Sequence, residues 1–247
     1  MRILLLKVVV PALALSVAAS ALALPAATNR LSSASKSGAA AGATKLEQEV
    51  LAELNLARQK PLEYAKYVEE HRARFNADGT FTLRSRVRMV TKEGVKAVDE
   101  AIAFLKQVKA VGPLEYSAGL SRAARDHVED LGPKGMVGHG GSDGSDPASR
   151  VKRYGEWETT TGENIAFGHD DARMTVIQLI VDDGVPSRGH RANIFHPKFK
   201  TVGIACGDHK VYRQMCVMDF AGGFKDKKSD SPVRGRTLSP RDTTAAK

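Results

Sequence analysis

Helical periodicity dominates this 247-residue chain from Thr44 to Gly132 and β-rich segments come late, between Val202 and Phe220, an order that does not alternate as βαβ units do. Thr44 with Glu47 forms a capping box, and Leu46, Val50, Leu51, Leu54 and Arg58 follow at helical spacing. Pro61 suits the first turn of a second helix that stops near Phe75, before Asn76-Ala77-Asp78-Gly79. Phe81 to Val90 alternates only loosely and is basic at Arg84, Arg86 and Arg88, so exposed strand and loop both stay open. Thr91 and Glu93 open an amphipathic helix carrying Val95, Val98, Ile102, Leu105 and Val108. Ser117 caps another, with Leu120, Ala124, Val128 and Leu131 on one face and Gly132 at its end. Asp146-Pro147 starts a short helix through Tyr154. Asp170 or Asp171 caps a helix from Met174 to Val181 that is apolar nearly all round and is therefore expected to be buried. Val202 to Cys206 and Met215 to Phe220 are rich in β-branched and apolar residues and read as paired strands. The fold class is α+β, with helices covering a small sheet.

Chemistry concentrates between Gly138 and His196, in the clusters GHGGSDGS (138–145), TGENIAFG (161–168) and VDDGVPSRGHRANIFHP (181–197). Each sets a His or an acid beside glycines, which permit positive φ and close backbone approach. His139, Glu163, Asp182, Asp183 and His190 can converge on one concave site, and two imidazoles with two carboxylates suit two kinds of chemistry. One is a divalent-metal site, zinc foremost, in which a carboxylate fixes the tautomer of each ligating ring. The other is a general base and a general acid acting on water, with no metal. Taken singly, each residue has a plainer role: a loop histidine, a carboxylate capping backbone N–H groups, or Asp183 paired with Arg188 or Arg191. The motif HExxH is absent, the cysteines lie away from the clusters, and Asp143-Gly144-Ser145-Asp146 departs from a calcium-loop pattern. Tyr154 and Trp157 are candidates for a ligand wall. His127 reads as packed or half-exposed, and His169, His196 and His209 as surface residues.

Read in order as GH, GEN, a helix and GHR, the clusters resemble the CAP superfamily, the secreted domain shared by cysteine-rich secretory proteins, insect venom antigens and plant pathogenesis-related proteins. The likeness runs from about Leu46 to Phe224 and is similar to bacterial members that carry DGVPSRGHR. It implies a three-layer α-β-α sandwich with a cleft at one side of the sheet, and a cleft tetrad of His139, Glu163, Asp183 and His190, with the two histidines as metal ligands. The family's helix ends in Glu where this chain has Asp183, a shorter carboxylate, and Asp182 is the fallback.

The N-terminus carries Arg2 and Lys7 around an apolar run and reaches Ala21-Leu22-Ala23, a small-x-small site, so residues 1–23 read as a signal peptide. Residues 24–43 are Ala, Ser, Gly and Thr with almost no large apolar side chain and read as a disordered linker. The CAP-like domain then spans 44–224, a helical arm at 44–110 and a motif-bearing core at 111–224, followed by a disordered basic tail at 225–247. These bounds place the protein outside the cytoplasm, periplasmic or secreted, with no transmembrane segment after signal cleavage. Cys206 and Cys216 flank a polar segment, and an oxidising compartment makes a bridge between them plausible. A formal charge of +9 favours anionic surfaces, and no nucleic-acid-recognition signature accompanies it. The functional expectation is an exported divalent-metal- and ligand-binding or interaction module, its partners lipid, cell-envelope polymer or protein. The alternative is a metal-dependent extracellular hydrolase, peptidase or cell-wall directed.

Overall fold

The computed structural model describes residues 42–76, 78–82 and 88–227. The signal peptide, almost all of the linker, residues 83–87 and the tail beyond Lys227 lie outside the described residues. The elements run α1 (Lys45–Gln59), α2 (Pro61–Arg72), β1 (Thr80–Thr82), β2 (Arg88–Val90), α3 (Val95–Gln107), β3 (Glu115–Tyr116), α4 (Ala118–Leu131), α5 (Pro147–Tyr154), β4 (Gly155–Trp157), β5 (Thr161–Phe167), α6 (Ala172–Val181), α7 (Gly189–Ile194), β6 (Thr201–His209), β7 (Arg213–Ala221) and β8 (Phe224–Asp226). Among the described residues no helix is long and apolar enough to cross a membrane.

Local capping signals set most helix starts. Thr44 and Glu47 form the reciprocal capping box of α1, Pro61 occupies the first turn of α2, and the side chains of Ser117, Asp146 and Asp171 accept backbone N–H groups at the starts of α4, α5 and α6. The third helix differs from its expected start. It opens after Gly94, and Glu93 instead accepts from Arg188 and from the backbone of Gly184. The loosely alternating segment supplies the short antiparallel pair β1–β2.

The central sheet has the order β3-β6-β7-β5, antiparallel except for the short β3–β6 pair. Side chains alternate between its two faces. Val202, Ile204 and Cys206 of β6, with Cys216, Met218 and Phe220 of β7, join the core built by α1, α2, α3 and α6. Ala205, Met215, Val217 and Ile165 pack on the other face against Ala124, Val128 and Leu131 of α4. This is the α-β-α sandwich that the resemblance implied. At Gly203 a Cβ would lie 2.0 Å from the Leu120 carbonyl carbon and 2.1 Å from Ser121 N, so α4 rests directly on the sheet backbone there.

Cys206 and Cys216 are direct cross-strand partners in the β6–β7 register and form a disulfide, with their Cα atoms 4.1 Å apart. Glu47, buried on α1, accepts the Cys206 N–H at 2.9 Å and pairs with Arg125, which also donates to the Cys206 carbonyl. The domain boundary expected at Phe224 moves outward. β8 pairs with β4 through Lys225 and Asp226, Asp226 accepts the Gly119 N–H at the start of α4, and the Lys227 N–H donates to the Tyr154 carbonyl at 2.8 Å, so the expected tail contributes its first three residues to structure. Their polarity hid this, because a two-strand edge pair needs backbone hydrogen bonds more than apolar side chains.

Candidate functional site

Edge strand β5 carries the centre of the site. Glu163 faces the α4–α5 layer, in register with Asp219 of β7, while the next residue, Asn164, faces the opposite layer. The loop after α4 brings His139 to Glu163, and the Nδ1–H of that ring donates to Oε1 at 2.7 Å. From the other layer, the turn between α6 and α7 brings His190 to Asp182, whose Oδ1 accepts from Nδ1 at 2.6 Å. Asn164 Nδ2 donates to the His190 carbonyl at 3.0 Å, and Asn193 donates to Asn164, so one strand positions both histidines. The two ring centroids stand 6.3 Å apart. With both Nδ1 atoms committed to carboxylates, each ring carries its free lone pair on Nε2. The His139 side chain is 52% exposed and that of His190 23%, while their carboxylate partners are buried, which makes an open cleft with a rigid floor.

Asp182 replaces Asp183 as the fourth cleft residue. Asp182 ends α6 in the left-handed region, at φ 57°, which turns its side chain back over the following loop. Its Oδ2 also takes the backbone N–H of His190 at 2.9 Å. Asp183 points the other way and accepts the backbone N–H groups of Lys92 and Glu93 at 2.7 and 2.8 Å. Arg188 pairs with Glu93 and Glu100, and Arg191 donates to the Ile180 and Val181 carbonyls, so the SRGHR segment is clamped to α3 and to the end of α6.

Several expectations are corrected. Tyr154 donates to Asp126 at 2.7 Å and, with Trp157 and Phe224, packs on the cluster of Leu120, Ala123, Val151 and Ala221; the pair fills a small core rather than a ligand wall. His209 is buried, donating to the Met136 carbonyl through Nε2 and accepting the Val211 and Tyr212 N–H groups at Nδ1. His169 is buried too. His127 is packed, as expected, and fully buried, its Nε2 donating to the Gly138 carbonyl.

Arg150 completes the site without a motif of its own in the sequence. It is 1% exposed and donates to Glu163 Oε2 at 2.6 Å, to the His139 carbonyl at 3.0 Å and to the Ser145 carbonyl at 3.1 Å. Its one visible signal was its place one turn into the helix that Asp146-Pro147 starts. Burial opposes the charge of Glu163, but the hydrogen bond from His139 and the cation of Arg150 outweigh it and hold this carboxyl below the usual range. Among the described residues no group of three or more His, Cys, Asp or Glu is placed to hold a metal ion. A groove of about 1170 Å³ lies elsewhere, lined by Glu53, Tyr67, His71, His169, Arg173 and Tyr212 and by none of the cleft residues.

An α-β-α sandwich with two carboxylate-held histidines meeting over its edge strand defines a CAP-type domain. The model of the cysteine-rich secretory protein family, CAP, matches residues 51–220, and the chain belongs to that family. It is 26% identical over 175 residues to the uncharacterized protein YkwD of Bacillus subtilis (strain 168), which covers 71% of this chain and 61% of the relative, so the chain spans less than two thirds of that relative's length. Two solved structures are looser matches. An outer surface protein of Borrelia burgdorferi has 20% identity and a TM-score of 0.39 over 45% of this chain and 78% of its own. An extracellular SCP-domain protein of Bacillus anthracis str. Ames has 18% identity and a TM-score of 0.37 over 51% of this chain and 37% of its own.

Proposed function

We propose that the protein is an exported binding module whose cleft takes a divalent cation, zinc foremost, between His139 and His190, together with an anionic or polar group of a cell-envelope, lipid or protein ligand. The observation that carries this reading is the matched pair of carboxylate–imidazole hydrogen bonds, which leaves an Nε2 lone pair on each ring. A buried carboxylate behind each ligating imidazole fixes its tautomer and raises its basicity. Two imidazoles that share one tetrahedral zinc through bonds of about 2.1 Å have centroids about 5.3 Å apart, so from their separation of 6.3 Å the rings close by about 1 Å on taking the ion. Two protein ligands leave the remaining positions to water or to ligand atoms, which suits an open cleft that recruits a partner through the ion. The net charge of +9 favours anionic partners over cationic ones.

Calorimetric titration of the untagged, metal-stripped protein with zinc tests the reading. One site per chain is expected, lost in His139→Ala and in His190→Ala. Equal zinc uptake by the wild type and the double variant would overturn it.

A further inference from the structure

Asp219 is the one carboxylate of the described sheet core that is 0% exposed, and neither of its oxygens has a hydrogen-bond donor. In the β5–β7–β6 register it stands between Glu163 on one side and Gly203 on the other. Directly opposed residues on neighbouring strands share a face, so Asp219 and Glu163 lie side by side beneath α4 and α5. Gly203 brings no side chain and only the α4 backbone over it. The charged groups that act on Asp219 are Glu163 from β5 and Arg150 from α5, and Arg150 is already bonded to Glu163. His127 of α4 and His139 above are the titratable neighbours of the same Glu163, and His127 Nδ1 is buried without a donor. One cation therefore faces two buried carboxyls.

We propose that Asp219 is a fifth member of the cleft, a neutral acid that donates its proton as a hydrogen bond to Glu163 and so positions the carboxylate that orients His139. Two adjacent carboxyls in a dry interior cannot both ionise, and a bond between them exists only when one carries the proton. Glu163, with His139 and Arg150 as donors, is the one that stays charged. Asp219, with no donor of its own, is the one that keeps the proton. Burial, and after it the charge of Glu163, push its carboxyl well above the usual range, against a smaller opposing influence of Arg150. Asp219 is a positioning residue, acting on the cleft through Glu163. The inference rests on the cleft reading only for its consequence at His139.

Infrared spectroscopy of the intact protein in deuterated buffer at pH 7 tests the proton directly. The wild type is expected to show the carbonyl stretch of a buried protonated carboxyl, and Asp219→Asn to lack it. Thermal melts across pH supply a second readout. A carboxyl whose folded-state value is raised makes stability fall as pH rises above its unfolded value of 3.8, so Asp219→Asn should gain on the wild type from pH 4 to pH 8. The ring signals of His139 in nuclear magnetic resonance spectra at pH 7 should keep their positions in Asp219→Asn, which removes no charge, and should broaden or move in Asp219→Ala, which releases Glu163. A wild-type spectrum with no acid band, or an Asp219→Asn variant that loses stability at pH 8, would overturn the proposal. Zinc titration of the wild type separates the two readings: an acid band without zinc binding overturns the ion reading alone, and zinc binding without an acid band overturns this proposal alone.

Discussion

The carboxylate of Asp182 holds His190 at two points, accepting Nδ1–H on Oδ1 at 2.6 Å and the backbone N–H on Oδ2 at 2.9 Å. Ring orientation at this half of the cleft therefore depends on one buried side chain, while neighbouring Asp183 serves the loop before α3. Asp182→Asn should weaken zinc binding about 10–100-fold by loosening the tautomer and the ring. Asp183→Ala should leave zinc affinity within about twofold and cost about 1 kcal/mol of stability through its two lost backbone bonds. Calorimetry and urea unfolding of both variants check the assignment, and the reverse ranking in zinc affinity would refute it.

Gly203 is where the α4 layer meets the sheet. Its added Cβ would sit within 2.1 Å of two backbone atoms of α4, and backbone cannot swing aside as a side chain can. Gly203→Ala should cost about 3 kcal/mol or more, read as a lower urea midpoint or as failure to accumulate folded protein. An unchanged midpoint would mean that α4 does not rest on β6 as described.

The Cys206–Cys216 bridge closes a short hairpin whose strands are already paired. Removing it as Cys206→Ser with Cys216→Ser should cost about 2–3 kcal/mol, chiefly through the freed unfolded chain. Reduction of the wild type should lower the unfolding midpoint equally, and no reducible bond in folded protein would contradict the pairing.

His71 predicts a pH dependence remote from the cleft. It is buried against Phe75 and Phe81, and burial, followed by the Arg74 charge, lowers its value from 6.5 to about 4. A histidine with a depressed folded-state value is stable when neutral, so its contribution is complete above pH 6.5 and is lost as pH falls from 6.5 through 4. The loss should reach about 3 kcal/mol at most. His71→Leu should flatten stability between pH 4 and 6.5, and melts of the two proteins across that window decide it.

Features encoded within a few residues were legible in the chain itself. The capping box of Thr44 and Glu47 and the caps at Ser117, Asp146 and Asp171 each involve donors and acceptors no more than four residues apart, and Pro61 starts its helix through its own fixed φ. The β-branched runs that become β6 and β7, and the three Gly-flanked clusters that reach the cleft, were readable for the same reason. Tertiary structure alone decided what those clusters do to one another. A single left-handed residue at the end of α6 sends Asp182 toward His190 and Asp183 away, and the sign of φ there has no local signature in the pair Asp-Asp. Arg150 and Asp219 entered the site unannounced, since their roles come from a helix crossing and a strand register that pair residues 13 and 56 positions from Glu163. The burial of His169 and His209 and the packing of Tyr154 and Trp157 were settled in the same way, by which layer covers which face, a property of contacts distant in sequence that no local periodicity records.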